Sequence, residues 1–461
     1  MNQELQGYIE YVGKHEQNLS PYAIKSLDAV WIDGETTRDF YERLFAGRDT
    51  FKKNRYRWRT PFQLDRDSIL YSSLFTRLSK KTQLYTGQGR VENRMTHTLK
   101  VAQITRSICR SLFLNEDLGE AIAFGHDVGH TPFAHEGERA LNEWLREKLK
   151  PDHGQMELDD ILILNKVSKG YQNSFKTYAT YSNDSSDDFF SHGRQSVRLL
   201  TYVRKKIPDR YFTKNTLFGI WRHSTKAFDT DEKFSYKQQI DENTTFELGK
   251  DDASLEAQVV RLADDIAWII SDLTESIRSK ILNLNVIREA FEKKTAITVT
   301  KDVEFREYLQ REDQVSLYTY FITDLINQSK KNLEEVKSSE NIKKWEKYIS
   351  FSIELEAIVG CLKNIIEEYV ISAKGIYRGD KINYERLMAL CELYFDKPND
   401  FLSDIEIANR DLNFPFKNEW YKKGIRDDKM VRALAIIDFA SVLTDMEVAR
   451  LSESVPQEFR I

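Results

Sequence analysis

His126 and Asp127 are neighbours in the stretch GHDVGHTPFAHEGERAL, where an apolar run ends. An imidazole nitrogen and a carboxylate oxygen are donors that divalent metal ions take from proteins. Adjacent residues in a helix point about 100° apart, but at a helix end both can turn toward one ion. The dipeptide alone is far more often a capping pair without metal. Two more positions change that balance. His97 lies in RMTHTLKV, on a helix with an apolar face, and Asp264-Asp265 interrupts VVRLADDIAWII, which is otherwise apolar on nearly every face. A carboxylate buried among such residues is costly unless it is paired or binds metal. Asp264, Trp268 and Asp272 recur every four residues and share one helix face.

A second kind of chemistry is acid–base. His135 and Glu138 stand three residues apart on a new helix, close enough to pair. A histidine steered by a carboxylate can transfer protons near neutral pH, and the same spacing also suits a surface pair. His130, between the two groups, can orient a phosphate or a water, or support a ligand from behind. His223, in WRHSTK, reads as core or as support for a ligand.

The elements that must carry these residues are helical. The 461 residues include only 8 prolines and 19 glycines, and 31% are charged, which suits long amphipathic helices with solvated outer faces. Helical spacing runs over 67–78 (Ile69, Leu70, Leu74, Phe75, Leu78) and over 92–114. Gly87 and Gly89 mark a loop between them. Another helix begins at 115–117 under an Asn or Asp cap and is ended by the glycines around His126-Asp127. Thr131-Pro132 breaks the chain before a helix from Ala134 to about Lys150. The segment 151–190 is Ser/Asp-rich and reads as a mobile loop in its middle. The stretch 228–252 is polar and precedes the apolar helix that carries Asp264.

Other classes are disfavoured. Cys109, Cys361 and Cys391 are far apart, with no CxxC, so neither a zinc knuckle nor a disulfide framework is indicated and a cytoplasmic setting is expected. Residues 1–14 lack the pattern of a secretory signal, and no apolar run approaches the roughly 20 residues of a membrane span. The net charge of -5 argues against a nucleic-acid coat protein.

The order His…His-Asp…Asp, each member on its own helix, resembles the metal signature of the HD phosphohydrolase superfamily. A narrower resemblance is to the deoxyguanosinetriphosphate triphosphohydrolases. It is carried by DRDSILYSSLFTRLSKKTQL, RMTHTLKV, GHDVGHTPFAHEGERAL and LADDIAW, and more loosely by IIDFASVLTDMEVARL, from about residue 55 to about 450. The resemblance implies an all-α fold and one divalent ion held by His97, His126, Asp127 and Asp264. It implies Mg²⁺ or Mn²⁺ in that place, while two imidazoles and two carboxylates also suit Zn²⁺, Fe²⁺, Ni²⁺ or Co²⁺.

The same likeness makes His135 and Glu138 the catalytic relay. It puts Arg94 on the phosphates, with Arg66, Arg77, Lys80 and Lys81 in the preceding basic segment, and His192 on the phosphate side. Gln83 would contact the nucleoside and Asp272 the sugar 3′-hydroxyl. Trp268 stands where the family commonly has a sugar-packing Tyr, so it can stack but lacks the hydroxyl. The expected reaction is hydrolysis of a deoxynucleoside triphosphate, dGTP first, to deoxynucleoside and triphosphate.

The expected domains are an N-terminal lead-in at 1–54, an HD core at 55–280 and C-terminal helices at 281–461 packed on it. The likeness further implies a homo-oligomer, as large as a hexamer, and admits single-stranded DNA or an allosteric dNTP as partners. Two rivals share many of these features: another HD enzyme, such as a nucleotidase or phosphodiesterase, and a non-catalytic nucleotide sensor or single-strand binder.

Overall fold

Asn93, Asn115 and Ser254 start the three helices on which the candidate metal ligands converge. Each side chain accepts a backbone N–H three residues on, from Thr96 at 2.9 Å, Leu118 at 3.2 Å and Ala257 at 3.0 Å. Such caps satisfy amide groups that a helix start leaves without partners. The computed structural model describes residues 3–83, 92–148, 190–203, 212–223, 236–239, 245–287, 289, 303–311, 313–336, 342–371, 377–408 and 419–459. The expected loop at Gly87 and Gly89 and most of the 151–190 segment lie outside these residues.

The described chain is nearly all helix. It runs through α1 (Gln3–Glu16), α2 (Thr37–Ala46), α3 (Thr50–Tyr56), α4 (Pro61–Leu70), α5 (Ser73–Arg77), α6 (Arg94–Ser111), α7 (Glu116–Gly125) and α8 (Ala134–Lys148). After α9 (His192–Val203) and α10 (Lys214–Arg222) comes α11 (Leu255–Arg278). The C-terminal half contributes α12 (Val303–Gln310), α13 (Gln314–Glu334), α14 (Ile353–Ile365), α15 (Tyr377–Asp396), α16 (Pro398–Ala408), α17 (Glu419–Asp427), α18 (Lys429–Val442) and α19 (Asp445–Glu453).

Two elements depart from the sequence reading. The helix expected over 67–78 is broken at Tyr71 and Ser72, where Ser72 Oγ donates to Ile69 O at 2.7 Å and accepts Phe75 N–H at 3.2 Å. The serine ends one helix and caps the next inside an unbroken apolar period. The polar stretch before α11 holds an antiparallel pair, β1 (Tyr236–Gln239) and β2 (Thr245–Leu248), with Tyr236 opposite Leu248. Phe246 and Leu248 are buried around exposed Glu247, a short alternation hidden among charges.

In the centre, α6, α7, α10 and α11 pack on one another, with α4 against α7. One apolar core runs from Ala23 to Val455. A smaller one joins Leu5, Tyr8, Val12, Phe40, Tyr41 and Phe45 of the lead-in to Tyr56 and Leu64. Later helices close on this centre: α13 lies on α11, α15 on α8, and α18 meets α9 through a buried two-pronged pair, Arg198 to Asp438 at 2.7 and 2.9 Å. Among the described residues, no helix is long and apolar enough to cross a membrane.

Candidate metal centre and its surroundings

Helix α7 stops at Gly125, so His126 and Asp127 fall in the turn that follows, pressed against α9. A Cβ on Gly129 would lie 2.2 Å from Ser196 N, so only glycine allows this approach. Ser196 Oγ accepts Gly129 N–H at 2.9 Å and donates to His126 O at 2.8 Å. His126 Nδ1 faces Ala123 O at 2.6 Å. A carbonyl only accepts, so Nδ1 carries a proton and Nε2 is the nitrogen turned toward the centre. That Nε2 is buried without a hydrogen-bond partner.

Three other side chains meet it there. Asp127 Oδ1 lies 3.6 Å and Asp264 Oδ1 3.8 Å from His126 Nε2, and His97 Nε2 lies 2.8 Å from Asp264 Oδ1. Donor atoms of His97, His126 and Asp127 all fall within 4.8 Å of one another. An unpartnered imidazole nitrogen facing two carboxylates, with a second imidazole beside them, is a donor set that fits a divalent cation. Asp265, next to Asp264, turns away to Lys363 Nζ at 2.6 Å and Trp268 Nε1 at 3.3 Å.

Arg94, one turn before His97, donates to Asp127 Oδ2 at 2.6 Å inside the protein. Burial opposes the charge on Asp127, but His126 and Arg94 outweigh it and hold the carboxyl well below its usual range. Burial also works against the charges of His97 and Asp264. Their hydrogen bond prevails, raising the imidazole and lowering the carboxyl.

A row of imidazoles extends from this centre. His223 Nδ1 donates to Ile220 O at 2.7 Å, so its Nε2 is the acceptor for His192 Nε2 at 3.1 Å. The other nitrogen of His192 faces Glu138 at 3.2 and 3.3 Å, and Glu138 also accepts the His192 backbone N–H at 3.1 Å. His192 thus has a donor position at both ring nitrogens. Burial resists its charge, but Glu138 more than compensates, and its pKa is raised. Burial and the neighbouring His126 and His192 push His223 down to about 3, so it stays neutral. The His130 ring stacks on His192, centroids 4.5 Å apart. Glu138 therefore has His192 as a partner, which spacing along one helix could not reveal. His135 is the second residue of α8, and its side chain lies outside the described residues.

On the far side, Gln83 is anchored through its backbone N–H to Glu92 O at 2.8 Å, and its side-chain Oε1 is buried without a partner. Burial pushes the Asp272 carboxyl up to about 7. Close by, Lys100 Nζ donates to Ser271 Oγ at 2.9 Å and pairs with Glu92 at 2.8 Å, while the Tyr318 hydroxyl lies 3.4 Å from Ser271 Oγ. Lys100 and Ser271 each lie three residues after a named site residue, a signal that spacing does carry. Tyr318, arriving on α13, leaves none. Arg66 is taken up by Asp117 and Glu120 at 2.8 and 3.0 Å, and Arg77 by Glu447 at 2.7 Å. Of the basic segment, Lys81 reaches the centre: its Nζ donates to His130 O at 2.6 Å.

The HD domain family model matches residues 94–269, the span from α6 into α11. A deoxyguanosinetriphosphate triphosphohydrolase-like protein of Bartonella quintana is 30% identical over 84% of this chain and 87% of its own length. A protein of the same description from Leptospira interrogans is 26% identical over 96% of this chain and 97% of its own. One from Rickettsia felis is 33% identical over 61% of this chain, and that match takes in 64% of its length, under two thirds.

Proposed function

The chain belongs to the deoxyguanosinetriphosphate triphosphohydrolase-like family of HD-domain proteins, and from that premise we propose that it hydrolyses deoxynucleoside triphosphates, dGTP first, to deoxynucleoside and inorganic triphosphate. The observation that carries the reading is the convergence of His97, His126, Asp127 and Asp264, with the unpartnered His126 Nε2 facing two carboxylates. These four would hold one divalent ion, Mg²⁺ or Mn²⁺ by family. When bound, it would supply Lewis-acid charge neutralisation at the phosphate.

The chain's own groups do the rest. Arg94 offers fixed positive charge to a polyphosphate, and His192 a ring whose charged form Glu138 favours, with His130 stacked beside it. Gln83 offers a desolvated amide to the nucleoside, and Asp272 a carboxyl to the sugar 3′-hydroxyl. Trp268 packs on the sugar without a hydroxyl to test its 2′ side. Water attacks the α-phosphorus in line with the 5′ oxygen, and His135, with Glu138 in its helix turn, returns a proton to that leaving oxygen. The active species is a homo-oligomer, and single-stranded DNA or a second dNTP are its candidate modulators.

Product chromatography with each dNTP, in Mg²⁺ and in Mn²⁺, tests the reading. Deoxynucleoside plus triphosphate is the expected pair. Nucleoside monophosphate plus pyrophosphate from dGTP would overturn the bond choice, and turnover confined to monophosphates or cyclic nucleotides would favour another HD chemistry.

A further inference from the structure

Asp445, the first residue of α19, lies outside the metal and imidazole clusters, yet its two carboxylate oxygens are divided between two segments that carry site residues. Oδ1 accepts the backbone N–H of Phe133 at 3.0 Å. Oδ2 accepts the backbone N–H and the hydroxyl of Thr82, at 3.0 and 2.6 Å. Thr82 immediately precedes Gln83 and bridges to Asn93, the cap of α6. Phe133 lies in the turn between His130 and α8.

That turn needs outside support. Phe133 and Ala134 have φ of 62° and 54° without being glycine, a conformation that persists only where surroundings over-determine it. Thr131 Oγ1 donates to Ala134 O at 3.1 Å from within the turn. Gly137 makes room for it, since a Cβ there would lie 2.0 Å from Pro132 O. Asp445 holds it from the C-terminal half, 312 residues along the chain. Bonds around Asp445 reinforce the same junction. Lys81 Nζ links His130 O at 2.6 Å to Ser441 O at 2.5 Å, and Arg77 donates to Val442 O at 3.1 Å.

The geometry points to Asp445 as a positioning residue that fixes the Gln83 segment against the turn that launches α8, so that the site is completed by the junction of α18 and α19. This inference rests on the reading that Gln83 and α8 act on one nucleotide. Both carboxylate oxygens face donors, so an amide cannot replace the carboxylate: its NH₂ would confront an N–H on one side. Asp445→Asn therefore breaks one arm, and Thr82→Val removes only the hydroxyl on the Gln83 arm.

The test combines hydrogen exchange on the full chain with steady-state kinetics on the dNTP that the wild type turns over fastest. In Asp445→Asn, peptides covering 78–83 and 128–136 are expected to exchange faster. Its kcat/KM should fall at least tenfold, with Mn²⁺ stoichiometry unchanged. In Thr82→Val, KM should rise several-fold with kcat within twofold. Unchanged exchange overturns the inference. So does faster exchange with kcat/KM within twofold of wild type, which would leave Asp445 a brace for stability alone. If the wild type hydrolyses no dNTP, the substrate reading fails and the positioning role falls with it, whereas failure of the inference alone shows as an active wild type with unchanged exchange in Asp445→Asn.

Discussion

Arg94 Nη1 and Asp127 Oδ2 meet at 2.6 Å in the protein interior, which leaves Oδ1 as the oxygen facing His126. The arginine thus orients a candidate metal ligand while its own charge stays near the place a polyphosphate would occupy. Removing one partner of a buried ion pair costs about 3–5 kcal/mol, because the other charge stays behind. Arg94→Ala should lower unfolding stability by about that amount in urea titrations. Arg94→Lys keeps the charge but loses the planar fork, and should recover stability better than turnover.

Asp272 shares a helix face with Asp264, and burial lifts its carboxyl to about 7. If it holds the sugar 3′-hydroxyl, its loss should be felt only by substrates that have one. Asp272→Asn should reduce kcat/KM for dGTP about 10–100-fold, the worth of one buried hydrogen bond to a polar partner. For the 2′,3′-dideoxy analogue the change should stay within about threefold. Equal losses on both substrates would place the effect elsewhere.

The HD turn and its partner helices were legible because each ligand type stands in an apolar setting that makes its burial costly, and because Asn115 is a good cap; Asn93 and Ser254 cap the other two helices without having been read as such. The acidic pair at 264–265 could be read as buried, and the family likeness, not the residues themselves, singled out Asp264 of the two; Lys363, on α14, takes Asp265. His223 looked like core because it ends an apolar helix, and its contact with His192 is a tertiary event. Glu138 could be paired with His135 from spacing, while its partnership with His192 bridges 54 positions. Ser72 ended a helix within a continuous apolar period, which periodicity alone cannot show. Asp445 sat in a recognisable segment, but its role depends on a turn with two positive φ angles, and nothing in HTPFAH specifies them.

Glu256 gives a pH prediction away from the candidate site. It is fully buried, and its Oε1 accepts the N–H of Ile24 at 3.2 Å and of Asn115 at 2.9 Å, while Oε2 has no partner. Burial raises its pKa above the ordinary 4.5, and the two N–H bonds only partly offset this. The folded state therefore keeps a proton that the unfolded chain has released, so this contribution to stability is complete below 4.5 and is lost as pH rises through the folded value. Glu256→Gln retains the acceptor and removes the charge. Its melting midpoint should exceed that of the wild type at pH 8, and the two should converge near pH 4.

The account depends most on one shared cation. Anomalous diffraction from crystals grown with Mn²⁺ measures it directly, and the prediction is a single peak bonded to His97, His126, Asp127 and Asp264, absent in His126→Ala. No peak at saturating Mn²⁺, or a peak on Asp127, His130 and His192 without Asp264, would contradict it.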